Sequence, residues 1–237
     1  MLDPSKMSYE ELLLKVKEKF EIDFEDIRIG DINLSLIKIV NLEDYIDKLA
    51  DEVREGERLE LPFWAKIWPT SLLLSYVLLK LPMEKGDELL EIGAGTGLCG
   101  LVAASMGFNV TISDIEQDAL MISQINVLKN GLQQRARVER VDFTSDRLSK
   151  KFRYIIGSEV LYKQEHFRPL VKFFLRHLRD ENSFIILAKD YHLKAKKFYK
   201  LAQEHFVIQE KVIGYKEKDN EKGERHLCTI LRLSKKL

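Results

Sequence analysis

Hydrophobic and polar positions along this chain change period several times, and each change marks an element. Ser8-Tyr-Glu-Glu11 has the form of a capping box, and Leu12, Leu13, Val16 and Phe20 recur behind it, which predicts an amphipathic helix over 8–20. Ile27-Arg-Ile29 and Ile32-Asn-Leu34-Ser-Leu36 alternate on either side of Gly30-Asp31, the pattern of a hairpin with a two-residue turn. Asn41 stands where it can cap a helix carrying Leu42, Tyr45, Ile46 and Leu49. Residues 51–60 are too charged for a core and read as a solvated connector. Pro62–Pro69 then places Phe63, Trp64 and Trp68 between two prolines, with Pro69 set as the first residue of a helix carrying Leu72, Leu73, Val77 and Leu78.

From Asp87 the pattern alternates: strand 87–92, helix 97–106, strand 108–113, helix 116–130, strand 136–142, strand 153–157, helix 164–178, strand 183–189 and helix 192–204. Such alternation predicts an α/β domain with a parallel sheet and helices on both faces. The end of the chain breaks it. Phe206–Tyr215 and His226–Leu233 are β-rich runs separated only by the polar loop 216–224, which predicts a terminal antiparallel hairpin. The division expected is a small N-terminal helix-and-hairpin extension over 1–60 and a main domain over 61–237. The extension holds no evident chemistry and reads as a packing element or lid, with substrate recognition as the alternative.

Composition narrows the partners. A chain of 237 residues, 45% hydrophobic and 32% charged, forms one ordinary domain with a substantial core. Lysine plus arginine equals aspartate plus glutamate at 38 each, so no global basic field gathers nucleic acid or an anionic membrane. Lys194, Lys196, Lys197 and Lys200 accordingly read as a solvated face. The two cysteines, Cys99 and Cys228, and the five scattered histidines have no metal-ligand or triad spacing, so no metal is expected. With no signal-peptide pattern at Met1 and no apolar run of spanning length, the expected location is the cytoplasm, without membrane contact.

Candidate chemistry centres on Leu89–Gly100, where an apolar run breaks into glycines and becomes apolar again, as in a strand, a tight turn and a helix start. Two templates fit. Gly95, Gly97 and Gly100 match the dinucleotide spacing, though in a frame that begins after the strand has ended. Glu91-x-Gly93-x-Gly95-x-Gly97 keeps the acid inside the strand and suits a ligand with a cationic amino acid end and no pyrophosphate. Asn109–Asp114 is a second short strand ending in an acid, about twenty residues on, where a carboxylate accepts from ribose hydroxyls. That acid fits NAD and S-adenosylmethionine equally. Further strand ends carry Asp142-Phe143 and Ser158-Glu-Val-Leu-Tyr162.

With these segments in place the chain resembles the seven-strand, class I S-adenosylmethionine-dependent methyltransferases. Pro62–Pro69 and the apolar helix behind it are similar to the corresponding segment of the protein-lysine methyltransferase group in that class, so the resemblance covers about residues 60–235. It implies a Rossmann-like seven-stranded sheet, mostly parallel with a C-terminal antiparallel hairpin, and S-adenosylmethionine as cofactor. In that frame Glu91 faces the methionine end, while Gly93, Ala94, Gly95, Thr96 and Gly97 form the floor. Asp114 takes the ribose hydroxyls, Ile115 packs on the base, Asp142 with Phe143 meets the adenine, and Ser158 and Trp68 complete the cofactor pocket. Glu159 and Tyr162 match the group's Asp-x-x-Tyr, with glutamate one methylene longer, as the catalytic and substrate-binding pair, and Trp64 joins them on the substrate side.

The absence of proline in Ser158–Tyr162 disfavours adenine and glutamine amide nitrogens as acceptors. A lysine side chain of a folded protein is the acceptor the resemblance implies. The competing readings are N-methylation of a small amine or pyridine nitrogen, an NAD-dependent oxidoreductase and a non-catalytic binding module. At the level of residues, the acids read alternatively as solvated strand ends, the tryptophans as core aromatics, and Glu159 with Tyr162 as an ion pair and a core ring.

Overall fold

The computed structural model describes residues 3–52, 61–216 and 225–236. The connector expected over 51–60 and the polar loop 216–224 lie almost wholly outside them. α1 (Tyr9–Lys17) starts as anticipated: Ser8 Oγ accepts the Glu11 N–H while the Glu11 carboxylate accepts the Ser8 N–H. β1 (Ile22–Ile29) and β2 (Ile32–Ile39) pair antiparallel around Gly30-Asp31, and pairing continues to Ile22 opposite Ile39, beyond the alternating stretch. α2 (Leu42–Glu52) follows directly after Asn41. The Asn41 carbonyl accepts the Tyr45 N–H, whereas its side-chain oxygen accepts the Glu21 N–H at 3.0 Å and ties the hairpin's outer end.

After α3 (Pro69–Leu78) come β3 (Glu88–Ile92), α4 (Leu98–Ser105), β4 (Asn109–Asp114), α5 (Gln117–Lys129) and β5 (Ala136–Arg140). β6 (Tyr154–Ser158), α6 (Phe167–His177), β7 (Phe184–Asp190), α7 (Lys196–Ala202), β8 (Phe206–Lys216) and β9 (Arg225–Lys235) complete the order. Seven strands form one sheet in the order β5-β4-β3-β6-β7-β9-β8. β3 to β7 are mutually parallel, and β9 runs antiparallel between β7 and β8. No helix among the described residues is long and apolar enough to cross a membrane.

The continuous apolar runs of the inner strands are explained by burial on both faces. Leu89 packs in a cluster with α3 and α4, while its neighbour Leu90 packs in a second cluster with α6 and α7. Ile29, Leu34 and Leu36 of the small hairpin share the first cluster, and Ile37 and Ile39 join α1 and α5 in a third. Strand order reverses between β3 and β6. The chain leaves β3 toward β4 and β5, then returns to β6 on the other side, so the loops after β3 and β6 diverge and leave a crevice at the carboxyl ends.

Candidate active site

On the β3 side of the crevice, Gly93, Gly95 and Gly97 have φ of 58°, 55° and 80°. At Gly95 the close approach is to backbone: a Cβ there would stand 3.0 Å from the Trp64 carbonyl oxygen. The loop is held from beneath. Ser113 O accepts the Ala94 N–H at 3.0 Å, Ser123 Oγ donates to Gly95 O at 2.8 Å, and Asn126 Nδ2 donates to Thr96 O at 2.9 Å. Gly93 is exposed and Ala94 half-buried, whereas Gly95, Thr96 and Gly97 are buried, and α4 begins directly behind Gly97.

The acids that end the strands are more deeply engaged than their spacing suggests. Glu91 is 2% exposed and accepts the Gly100 N–H at 2.8 Å, and a Cβ on Gly100 would fall 2.5 Å from that carboxylate oxygen. Burial pushes its carboxyl up to about 8, the Asp114 charge adding to the effect and the Gly100 N–H opposing it. Asp114 accepts three backbone N–H groups, from Gly95 at 2.8 Å, Ile115 at 2.7 Å and Glu116 at 3.1 Å; burial still raises its carboxyl above the ordinary range. A carboxylate offers about four lone-pair directions, so one remains at Asp114. Asp142 binds within its own turn, to the Thr144 N–H and hydroxyl and to Ser145 Oγ. Those bonds outweigh burial and hold it below the usual carboxylate range.

Across the crevice, β6 delivers Ser158 and Glu159. Ser158 Oγ is buried there without a hydrogen-bond partner. Glu159 has φ 56°, the one positive value among the described non-glycine residues, and its N–H donates to Ala188 O at 2.9 Å. Burial raises its carboxyl, with the Thr70 hydroxyl and the Asp190 N–H beside it favouring ionisation. A non-glycine residue held in the left-handed region costs of order 1–3 kcal/mol, a strain that concentrates at functional sites. Tyr162, 52% exposed, lies three residues on and faces Phe63. Among the described residues no three His, Cys, Asp or Glu side chains group as a metal site requires.

Comparison with known proteins adds the decisive observation, since residues 57–205 match the family described as lysine methyltransferase. The chain belongs to the lysine methyltransferase family. It is 35% identical over 144 residues to the protein N-lysine methyltransferase METTL21A of Mus musculus, an alignment covering 58% of this chain and 65% of that relative. It is 32% identical over 163 residues to EEF1A lysine methyltransferase 3 of Mus musculus, covering 65% and 68% respectively. The chain thus spans slightly less than two thirds of the METTL21A relative's length. In fold it is similar to the crystal structure of a SAM-dependent methyltransferase from Methanosarcina mazei, with a TM-score of 0.56, 18% identity, and coverage of 68% of this chain and 98% of that one.

Within this lysine methyltransferase-family chain, the structure gathers Gly93, Ala94, Gly95, Thr96, Gly97, Asp114 and Ile115 on one side of the crevice and Ser158, Glu159 and Tyr162 on the other. Ile115 is 44% exposed beyond β4. Trp68 donates its indole N–H to Phe63 O at 2.7 Å. Trp64 turns away: its ring meets Phe20 edge-on at 5.7 Å in the cluster of α1 and α5, so the core reading applies to its side chain. Glu91 accepts from Gly100 in the first turn of α4, and Asp142 caps its turn while Phe143 stacks edge-on with His166 at 5.8 Å. Sequence reading passed over His166, Thr70 and Asp190 as site neighbours and treated Phe63 only as part of the proline-bounded segment. None carries a local signal beyond its position next to a strand end or a proline.

Proposed function

We propose that this chain transfers a methyl group from S-adenosylmethionine to the side-chain nitrogen of a lysine in a protein substrate. The observation that carries the reading is Glu159, held at φ 56° at the tip of β6 with Tyr162 beside it, opposite a glycine loop on β3. The residues present fit the cofactor. The loop has glycine at three alternate positions, 93, 95 and 97, each at positive φ, Asp114 keeps one acceptor direction for a ribose hydroxyl, Ile115 gives an exposed apolar face for the base, and Ser158 Oγ is an unused buried hydroxyl. When bound, the cofactor supplies an electrophilic methyl on a sulfonium.

The chain's own contribution is position. Holding nucleophile and electrophile in line is worth up to roughly 7–11 kcal/mol for well-oriented partners. A lysine ammonium, of ordinary pKa about 10.4, must lose its proton before attack. Partial burial at the crevice lowers that value, whereas a nearby carboxylate raises it, so Glu159 orients the amine and does not itself drive deprotonation. Balanced net charge supports a protein in place of nucleic acid as partner, and two unpaired, buried cysteines support a reducing compartment such as the cytoplasm.

The test is transfer of labelled methyl from S-adenosylmethionine into a cell extract, followed by amino-acid analysis. Label recovered as N-methyl-lysine in protein, and lost with Glu159→Ala, is expected. Label confined to small molecules, or none, overturns the reading.

A further inference from the structure

The zero net charge of this chain is not evenly spread. Residues 21–52 hold ten acids against three bases, whereas residues 163–200 hold ten bases against four acids. Within the second stretch the bases gather on two helices. α6 exposes Arg168, Lys172 and Arg176 at i, i+4 spacing, α7 exposes Lys196, Lys197 and Lys200, and neither helix contains an acid. The helices lie together over one side of the sheet: Phe167 and Phe198, buried rings of their first turns, meet at 5.8 Å, so the two exposed rows adjoin.

Helix stability does not account for these cations. Like charges four residues apart, as at 168, 172 and 176 and at 196 and 200, repel along a helix. Arg168, Lys196 and Lys197 stand in first turns, where a cation opposes the backbone dipole. None of the six forms an ion pair among the described residues, and the nearby Asp180 is taken by Arg153 and Arg179. The face thus carries positive charge that the described residues do not neutralise.

Its place in the fold selects the partner. β6 leads through Glu159 and Tyr162 into α6, and β7 leads through Asp190 into α7, so both helices start at the crevice and run back from it. A protein whose lysine reaches Glu159 lies across those starts. Rings for stacking bases, by which single-stranded nucleic acid is held, are not presented by either helix. Phe167, Phe173, Phe174 and Phe198 are buried, and Tyr199 is half-buried with its hydroxyl bonded to Glu210.

We propose that the α6–α7 face docks an acidic segment of the protein substrate beside the lysine that enters the crevice. This deepens the lysine reading and rests on it. The cations are exposed, so their attraction is screened by salt and acts on encounter and on the choice among lysines.

The experiment titrates the full-length chain, saturated with S-adenosylhomocysteine, into the dye-labelled peptide Gly-Gly-Lys-Gly-Gly-Glu-Glu-Glu-Glu-Glu-Glu or its counterpart with glutamine at every glutamate, read by fluorescence anisotropy. Two triple variants are compared. One is Arg168→Glu/Lys172→Glu/Lys196→Glu; the other, Lys17→Glu/Lys80→Glu/Lys85→Glu, changes net charge equally at exposed positions elsewhere. The glutamate peptide is expected to bind more tightly than the glutamine one, to weaken about tenfold in the α6–α7 variant and to hold in the other. Labelled-methyl transfer into extract protein should fall in the same variant alone. Unchanged S-adenosylhomocysteine affinity verifies both folds. No preference for glutamate, equal loss in both variants, transfer indifferent to the α6–α7 variant, or displacement of the glutamate peptide by a lower concentration of oligothymidylate overturns the docking face. If labelled methyl still reaches protein lysine in those cases, the face fails alone. If the glutamate peptide behaves as expected but the unaltered chain labels no protein lysine, the lysine reading fails and takes the substrate role of the face with it.

Discussion

Asn126 joins the glycine loop to the N-terminal hairpin through two bonds of one side chain. It is fully buried on α5, its Nδ2 donating to Thr96 O at 2.9 Å and its Oδ1 accepting the Ile37 N–H at 2.9 Å. One turn on, Asn130 accepts the Ser35 N–H and donates to Ser35 O, both at 2.9 Å, so β2's edge is satisfied by α5 side chains. Asn126→Leu keeps approximate volume but leaves a carbonyl and an N–H buried without partners. At roughly 1–3 kcal/mol for each such group, the expected loss is about 2–6 kcal/mol, a large part of a typical domain's 5–15 kcal/mol. Asn130→Leu, at a part-buried position that water reaches, should cost about 1 kcal/mol. Urea unfolding followed by tryptophan fluorescence, with calorimetric binding of S-adenosylhomocysteine, reads both stability and loop integrity. Asn126→Asp separates them: it can still accept from Ile37 but turns a carboxylate oxygen toward the Thr96 carbonyl, so affinity should fall. Loss below about 1 kcal/mol in Asn126→Leu, with affinity unchanged in both variants, would refute the argument that this residue couples hairpin and loop.

Three further outcomes follow from the site. Glu91 in the unfolded chain ionises near 4.5, whereas the folded chain holds its proton to about 8. The unfolded state therefore binds fewer protons across that window, and stability falls as pH rises through it, by up to about 1.4 kcal/mol per unit for one group. Glu91→Gln, which still accepts from Gly100, should flatten that decline in urea midpoints taken from pH 5 to 8; Asp114, also raised, leaves a slope of the same sign in both proteins. Gly95→Ala brings a methyl to 3.0 Å from the Trp64 carbonyl at φ 55°, where backbone cannot yield cheaply, and should weaken S-adenosylhomocysteine binding roughly tenfold in calorimetry. Glu159→Gly relieves the left-handed strain while removing the carboxylate. Methyl transfer should vanish while thermal unfolding changes by no more than about 1 kcal/mol.

The sequence by itself determined what contiguous residues encode. Ser8 and Glu11 announced α1, the spacing of Gly93, Gly95 and Gly97 after an apolar strand announced the loop, and two β-rich runs with no helix between them announced the terminal hairpin. Each is a backbone preference or periodicity expressed within a few residues. Tertiary structure decided what depends on distant segments meeting. That β9 lies between β7 and β8 is a matter of long-range pairing, and the hairpin pattern is the same in either order. The carboxylates of Glu91, Asp114 and Asp142 look alike as strand-end acids, yet buried N–H groups nearby claim them to different degrees, because an unpaired donor is costly wherever it lies. Trp64 and Trp68, four residues apart, are separated the same way: one ring finds Phe20 from the N-terminal segment, and the other joins Phe63 in the row that Tyr162 extends across the mouth of the site.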